Sequence, residues 1–186
     1  MKEQLDKALD ILRSGGVILH RPDTIWGLSC DATSPEAVQK IDAIKARETG
    51  KSYIILVDSD AMMERYVEAV PEVAYDLIDA AVDPLTIIYP HGKGLASGVC
   101  AEDGSIGIRI VQDPLTRQLV QRLKHPIIST SANISGQGSP QHLDEIASSI
   151  KESVEGIIER NDRPAQSKAS AIIKLALNGE VQIIRS

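Results

Sequence analysis

Pro126-Ile127-Ile128-Ser129-Thr130-Ser131-Ala132-Asn133-Ile134-Ser135-Gly136-Gln137-Gly138-Ser139-Pro140 is the stretch on which the fold turns, because an apolar run breaks there into hydroxyl and amide side chains and glycines. Pro126 opens a short buried strand. Ser129 to Ser139 forms a polar turn, and Ser139-Pro140 has the residue types of a helix N-cap and first helical position. A strand that empties into a helix N-terminus gathers unsatisfied N–H donors, and with the helix dipole these favour an anion. A well-capped turn without a ligand would use the same residues, so the stretch alone leaves both readings open.

Just upstream, Asp113-Pro114 caps a helix whose core face is Leu115, Leu119, Val120 and Leu123. Before it, Ser105-Ile106-Gly107-Ile108-Arg109-Ile110-Val111 alternates, with Ile106, Ile108 and Ile110 on one face and Ser105, Gly107 and Arg109 on the other. The small residues at 105 and 107 clear room beside Arg109, which suits either a ligand carboxylate or an ordinary surface arginine. Leu85 to Tyr89 is a further strand, and the Gly-rich 90–98 loop is a candidate cover. Gly92-Lys93-Gly94 lacks the spacing of a Walker loop.

Towards the N-terminus, Leu5, Ala8, Leu9 and Leu12 fall on one helical face, and Val17-Ile18-Leu19 follows as a strand. His20 to Leu28 then sets polar residues and the sole tryptophan at a strand end, where open α/β sheets bind ligands. Ser34-Pro35-Glu36 opens a helix with Val38, Ile41 and Ile44 inward. It runs into Lys45-Ala46-Arg47-Glu48-Thr49-Gly50-Lys51, with Gly50 as the expected stop, and a strand covers Tyr53 to Val57. Cations in a last turn satisfy free carbonyls, but three of them would also clamp a polyphosphate. Helical patterns cover Ala61 to Val67, Pro71 to Ala81, and the stretch after Pro140 with Leu143, Ile146, Ala147 and Ile150. A short strand at Ile157-Ile158, a polar loop from Glu159 to Lys168, and antiparallel strands around Asn178-Gly179 complete the chain.

The length of 186 residues favours a single mixed α/β domain. A net charge of −6 and 3% aromatic content disfavour a protein built mainly to grip nucleic acid. Cys30 and Cys100 have no metal-like spacing and suggest no disulfide framework. No run reaches the length of a membrane span, and the acidic N-terminus carries no apolar leader, so the expectation is a soluble cytoplasmic protein.

Asp23-Thr24-Ile25-Trp26-Gly27-Leu28, Lys45-x-Arg47-x3-Lys51 and Ser129-Thr130-Ser131-Ala132-Asn133-Ile134-Ser135-Gly136, in that order, resemble the YrdC-like family, whose best-known members are L-threonylcarbamoyladenylate synthases. The resemblance spans nearly the whole chain. It implies one α/β (α+β) domain over residues 1–186, with a twisted mixed parallel/antiparallel sheet and a concave ligand face. It also implies an adenylate-forming reaction of ATP, L-threonine and bicarbonate that releases pyrophosphate, with Mg²⁺ on the phosphates. A separate tRNA-modifying transferase would take the product.

By the same resemblance, Arg47, Lys51, Ser105, Ser131 and Ser139 match ATP-contacting positions, Thr24, Arg109 and Ser129 match threonine-contacting positions, and Lys45, Arg47 and Lys51 supply charge for the chemistry. Arg21-Pro22, Trp26, Glu48 and Ser52 depart from the family pattern. Two other readings stay open: a non-catalytic RNA-binding or regulatory module, and a relative acting on another carbamoyl compound.

Overall fold

Two strands drawn from the most legible stretches, β5 (Ile106–Ile110) and β6 (Ile127–Ser131), flank β3 (Ile54–Val57) at the centre of a nine-stranded sheet. The computed structural model describes residues 2–46, 52–159 and 169–186. Within these, β1 (Ile18–His20), β2 (Gly27–Ser29), β4 (Leu85–Tyr89), β7 (Gly156–Ile158), β8 (Ala171–Leu175) and β9 (Val181–Arg185) complete the order β7-β1-β2-β6-β3-β5-β4-β8-β9. The pairings are mixed: β1/β7, β3/β5 and β4/β8 are parallel, while the other neighbours are antiparallel.

Register sorts the side chains into two faces. Ile54 lies opposite both Gly107 and Ser129, Gly27 opposite Ser131, and Ile88 opposite Gly107. Gly27, Ser129, Ser131, Ile54, Gly107 and Arg109 therefore share one face, and Leu28, Ile128, Ile55, Ile106 and Ile108 share the other. The second face is core, with Leu28, Ile55, Ile106 and Ile128 fully buried.

Helix α1 (Lys2–Arg13) buries Leu5, Ala8, Leu9 and Leu12, and α2 (Pro35–Lys45) is capped by Ser34, whose side chain accepts from the N–H of Ala37. Both follow the sequence pattern. Helix α2 stops at Ala46 in the left-handed region (φ 47) rather than at Gly50, which lies outside the described residues together with Arg47 and Lys51. Helix α3 (Asp60–Tyr66) matches its pattern in length, starting one residue earlier, whereas α4 (Val73–Ala80) is shorter than its pattern suggests and buries only Ala74 fully. Helix α5 (Pro114–Leu123) begins as expected, with Asp113 accepting from both the N–H (2.8 Å) and the hydroxyl (2.7 Å) of Thr116.

Several sequence expectations need correction. Ser139-Pro140 does not open a helix: a 3₁₀ turn (Leu143–Glu145) starts after His142, where Glu145 accepts from the N–H groups of Gln141 and His142. Ile146 and Ala147 are extended before α6 (Ser148–Ser153), so the single predicted helix is broken in two. The 90–98 loop is not a loose cover. Gly92 N–H donates to Gly104, Lys93 N–H to Tyr66 and Ala96 N–H to Ala32, while the carbonyl of Val99 accepts from Tyr53 N–H. The β8/β9 turn is also longer than two residues, because Ala176 N–H reaches Glu180 and Gly179 takes the positive φ of 86.

The buried cap at Asp113 generates a stability prediction. Asp113→Ala leaves the Thr116 N–H and hydroxyl without their acceptor, and should destabilise the chain by about 1–3 kcal/mol, read as a lowered midpoint in urea unfolding with an unchanged m-value.

Candidate functional site

The polar face of the sheet carries a cavity of about 220 Å³, whose lining includes Thr24, Arg109, Ser129, Ser131 and Ser139. These come from three separate stretches of sequence. Ser129 and Ser131 reach the cavity because they alternate with the buried Ile128 on β6, whose Thr130 also touches the lining, and Arg109 because it alternates with Ile108 and Ile110 on β5. Glycine at 107 lets the neighbouring strands pack closely on this face: a Cβ there would lie 3.3 Å from the Ile54 side chain and 3.4 Å from that of Thr86.

Arg109 is the centre of this site. Only 3% of its surface is exposed, and its Nε and Nη2 make no hydrogen bond. Its nearest counter-charge is Asp23, with Nε 3.7 Å from Oδ2. Asp23 is itself held by the backbone N–H groups of Gln112 (3.4 Å) and Asp113 (2.9 Å). Burial pushes the guanidinium pKa down, Asp23 opposes that shift and Arg185 adds to it. A guanidinium remains charged even so, and its two unsatisfied donors fit an anionic group bound in the cavity.

His20 belongs to the same polar cluster. Its Nε2 is 2.7 Å from the Ser29 hydroxyl, its Nδ1 has no hydrogen-bond partner, and its ring is almost fully buried. Together with the two Arg109 atoms, Nδ1 completes the set of buried, unpartnered side-chain polar atoms among the described residues. Burial lowers the His20 pKa to about 4, with Asp113 opposing and Arg109 reinforcing the shift.

The remaining candidates divide. Lys45 is buried and does not line the cavity; its ammonium donates to the carbonyls of Ser131 (2.6 Å) and Asn133 (2.8 Å). Ser105 is buried at the start of β5 and also stands apart from the lining, with its N–H on Asp103 (2.9 Å). No helix begins after Ser139, so the helix N-terminus that one of the two readings invoked there is absent. Ser139 nonetheless lines the cavity through its loop.

Tyr53, Ser170 and Arg185 also line the cavity, together with Ile25, Ser52, Ile54, Thr130 and Ala169, and none of the three carries a local sequence motif for such a role. The Tyr53 hydroxyl donates to Asp42 (2.5 Å), and the Arg185 guanidinium donates to the Ser170 carbonyl from Nε (3.0 Å) and Nη2 (2.7 Å). Arg185 reaches the site because the β8/β9 register shifts between Ile172 and Ile173, where Ile172 faces Arg185 but Ile173 faces Ile183. Such an irregularity turns a side chain to the opposite face. The adjacent pair Ile183-Ile184, which breaks the period of two, was its sequence signal. A larger groove of about 820 Å³ beside the 176–180 turn contains none of these unpartnered polar atoms.

Among the described residues, no group of three or more His, Cys, Asp or Glu side chains has the arrangement of a metal site. No helix there is long and apolar enough to cross a membrane.

The Sua5/YciO/YrdC family model, described as "Telomere recombination", matches residues 10–186. A putative threonylcarbamoyl-AMP synthase of Methanocaldococcus jannaschii is 35% identical over 94% of this chain and 83% of its own length. The threonylcarbamoyl-AMP synthase of Pseudoalteromonas translucida is 29% identical over 94% of both chains. The crystal structure of P. abyssi Sua5 complexed with L-threonine superposes with a TM-score of 0.82 at 25% identity, covering 94% of this chain; the chain spans about half (52%) of that protein.

The neutral, buried His20 generates a pH prediction. Unfolded, the ring binds a proton near its ordinary 6.5; folded, it resists protonation down to about 4. The unfolded state therefore holds more protons across that window, and this group lowers stability as pH falls from 6.5 towards 4, by roughly 3 kcal/mol in all. His20→Gln should flatten that part of the loss in urea unfolding at pH 7, 5.5 and 4.5.

Proposed function

Because the chain belongs to the Sua5/YciO/YrdC family, we propose that it is a threonylcarbamoyl-AMP synthase, joining L-threonine, bicarbonate and ATP and releasing pyrophosphate. The observation that carries this reading is the buried Arg109 guanidinium, two of whose donors have no hydrogen-bond partner, in the wall of a small cavity. An amino-acid carboxylate has the charge and the forked geometry to take both donors. The volume, about 220 Å³, lies below the roughly 300–1,000 Å³ of pockets for drug-sized ligands, and suits the amino acid rather than the whole nucleotide.

In this mechanism the threonine amine condenses with bicarbonate to a carbamate and water. A carbamate oxygen then attacks the α-phosphorus of ATP, and the bond to pyrophosphate breaks. Arg109 orients the amino acid through its carboxylate, with Thr24 and Ser129 beside it, so the weak carbamate nucleophile is held in a sheltered position and gains from proximity. Ser131 and Ser139 are assigned to the nucleotide by their match to the same family pattern. Arg47 and Lys51 are assigned to the phosphates by their match to the family motif, where positive charge offsets that of the leaving group. A magnesium ion brought in with the nucleotide would neutralise phosphate charge. The product would pass to a tRNA-modifying transferase.

Pyrophosphate release, measured with ATP, L-threonine and bicarbonate together and with each omitted in turn, tests the assignment. Turnover should require all three. Release that is indifferent to threonine contradicts it.

A further inference from the structure

The polar loop after β6 contains a hydrogen-bond chain with a definite direction. Asn133 Nδ2 faces two carbonyls, those of Gln137 (2.5 Å) and Ile134 (3.2 Å), so this end of the amide is the donor. Its Oδ1 faces two donors, the Ser131 hydroxyl and, at 3.5 Å, the Lys45 ammonium. Reversing the amide would set NH₂ against the ammonium and oxygen against carbonyls, which fixes the orientation. Lys45 holds the same loop through the Ser131 and Asn133 carbonyls, while its own carbonyl accepts from Ser135 N–H (3.2 Å). An ammonium has three donors and no acceptor, so it cannot be the group that receives the Ser131 proton.

Ser131 lines the cavity, yet its single hydroxyl proton is committed to Asn133 Oδ1. What it offers the cavity is a lone pair. We infer that Ser131 recognises a hydrogen-bond donor on the ligand, a ribose hydroxyl or the nitrogen-borne proton of the amino acid, and does not donate to a phosphate oxygen. Lys45 and Asn133 are then positioning residues that set the polarity of this hydroxyl. Their part is to orient the loop, and the Lys45 charge is directed at loop carbonyls.

This inference deepens the proposed synthase reading and rests on it for the identity of the ligands, but its test reads binding, so a chain that binds without turning over still decides it. Calorimetric titrations would compare ATP, 2′-deoxy-ATP, 3′-deoxy-ATP, inorganic pyrophosphate and L-threonine on the wild type, Ser131→Ala, Lys45→Met and the double variant. If the donor is a ribose hydroxyl, Ser131→Ala should weaken ATP about three- to tenfold and abolish the penalty for the matching deoxynucleotide. If it is the amino-acid nitrogen, threonine should weaken by that factor and the deoxy penalties should stay. In either case pyrophosphate affinity of Ser131→Ala stays within twofold of wild type. Lys45→Met should weaken the same ligand as Ser131→Ala, with the double variant far from additive.

The inference is overturned if Ser131→Ala weakens pyrophosphate as much as ATP, if it changes no ligand, or if the Lys45 and Ser131 effects are additive. Pyrophosphate release that ignores threonine is a different failure, and it sinks the functional reading instead.

Discussion

A guanidinium taken almost wholly out of water without hydrogen bonds on two of its nitrogens is the constraint around which this molecule is arranged. Desolvating such a charge is expensive unless it is paired and hydrogen-bonded. Asp23 supplies charge at 3.7 Å, but the Nε and Nη2 donors of Arg109 remain unsatisfied. Asp23 can occupy that place only because two backbone N–H groups at the start of α5 hold it. The cap of α5, the turn after β1 and the centre of the sheet are thereby tied to one cation. Energy left unrealised in the folded chain is available to a ligand, which is how a binding site and a core residue differ.

Sheet register makes the arrangement possible. One face is closed by aliphatic side chains, and the other gathers Gly27, Gly107, Ser129, Ser131 and Arg109 because their strands pair in phase. A one-residue slip of β6 would send Ser129 and Ser131 into the core and bring Ile128 to the site. At the far edge an irregularity does the reverse, turning Arg185 from the face its position would suggest onto the cavity wall. The polar loop after β6 then adds direction. Lys45, although Arg47 and Lys51 follow it in sequence, donates to two carbonyls of that loop.

Local rules made much of this legible. Ser34-Pro35 and Asp113-Pro114 cap helices as their chemistry dictates, and the alternation of residues 105–111 put Arg109 on the face opposite the isoleucines. The alternation could not say that both faces would be covered, since that depends on Asp23 and α5, far away in sequence. Ser139-Pro140 misled because a competing pair, His142 and Glu145, sets the turn three residues later. Ser105 shares the alternation of Arg109, yet it lies away from the cavity and bonds to Asp103 in its own turn. Arg47 and Lys51, prominent in the sequence, lie outside the described residues. Arg185 was hidden by a bulge, a tertiary feature whose only local trace is the doubled isoleucine.

The central claim is that Arg109 exists to hold a carboxylate. Comparing L-threonine with L-threonine amide, in direct binding to the wild type and to Arg109→Met, tests it most directly. The acid should bind the wild type at least tenfold more tightly than the amide, as expected for charge-assisted bonds of about 1.5–3 kcal/mol, and Arg109→Met should erase that preference while keeping the fold. Equal affinity of acid and amide for the wild type, or a preference for the acid that survives in Arg109→Met, would contradict the account.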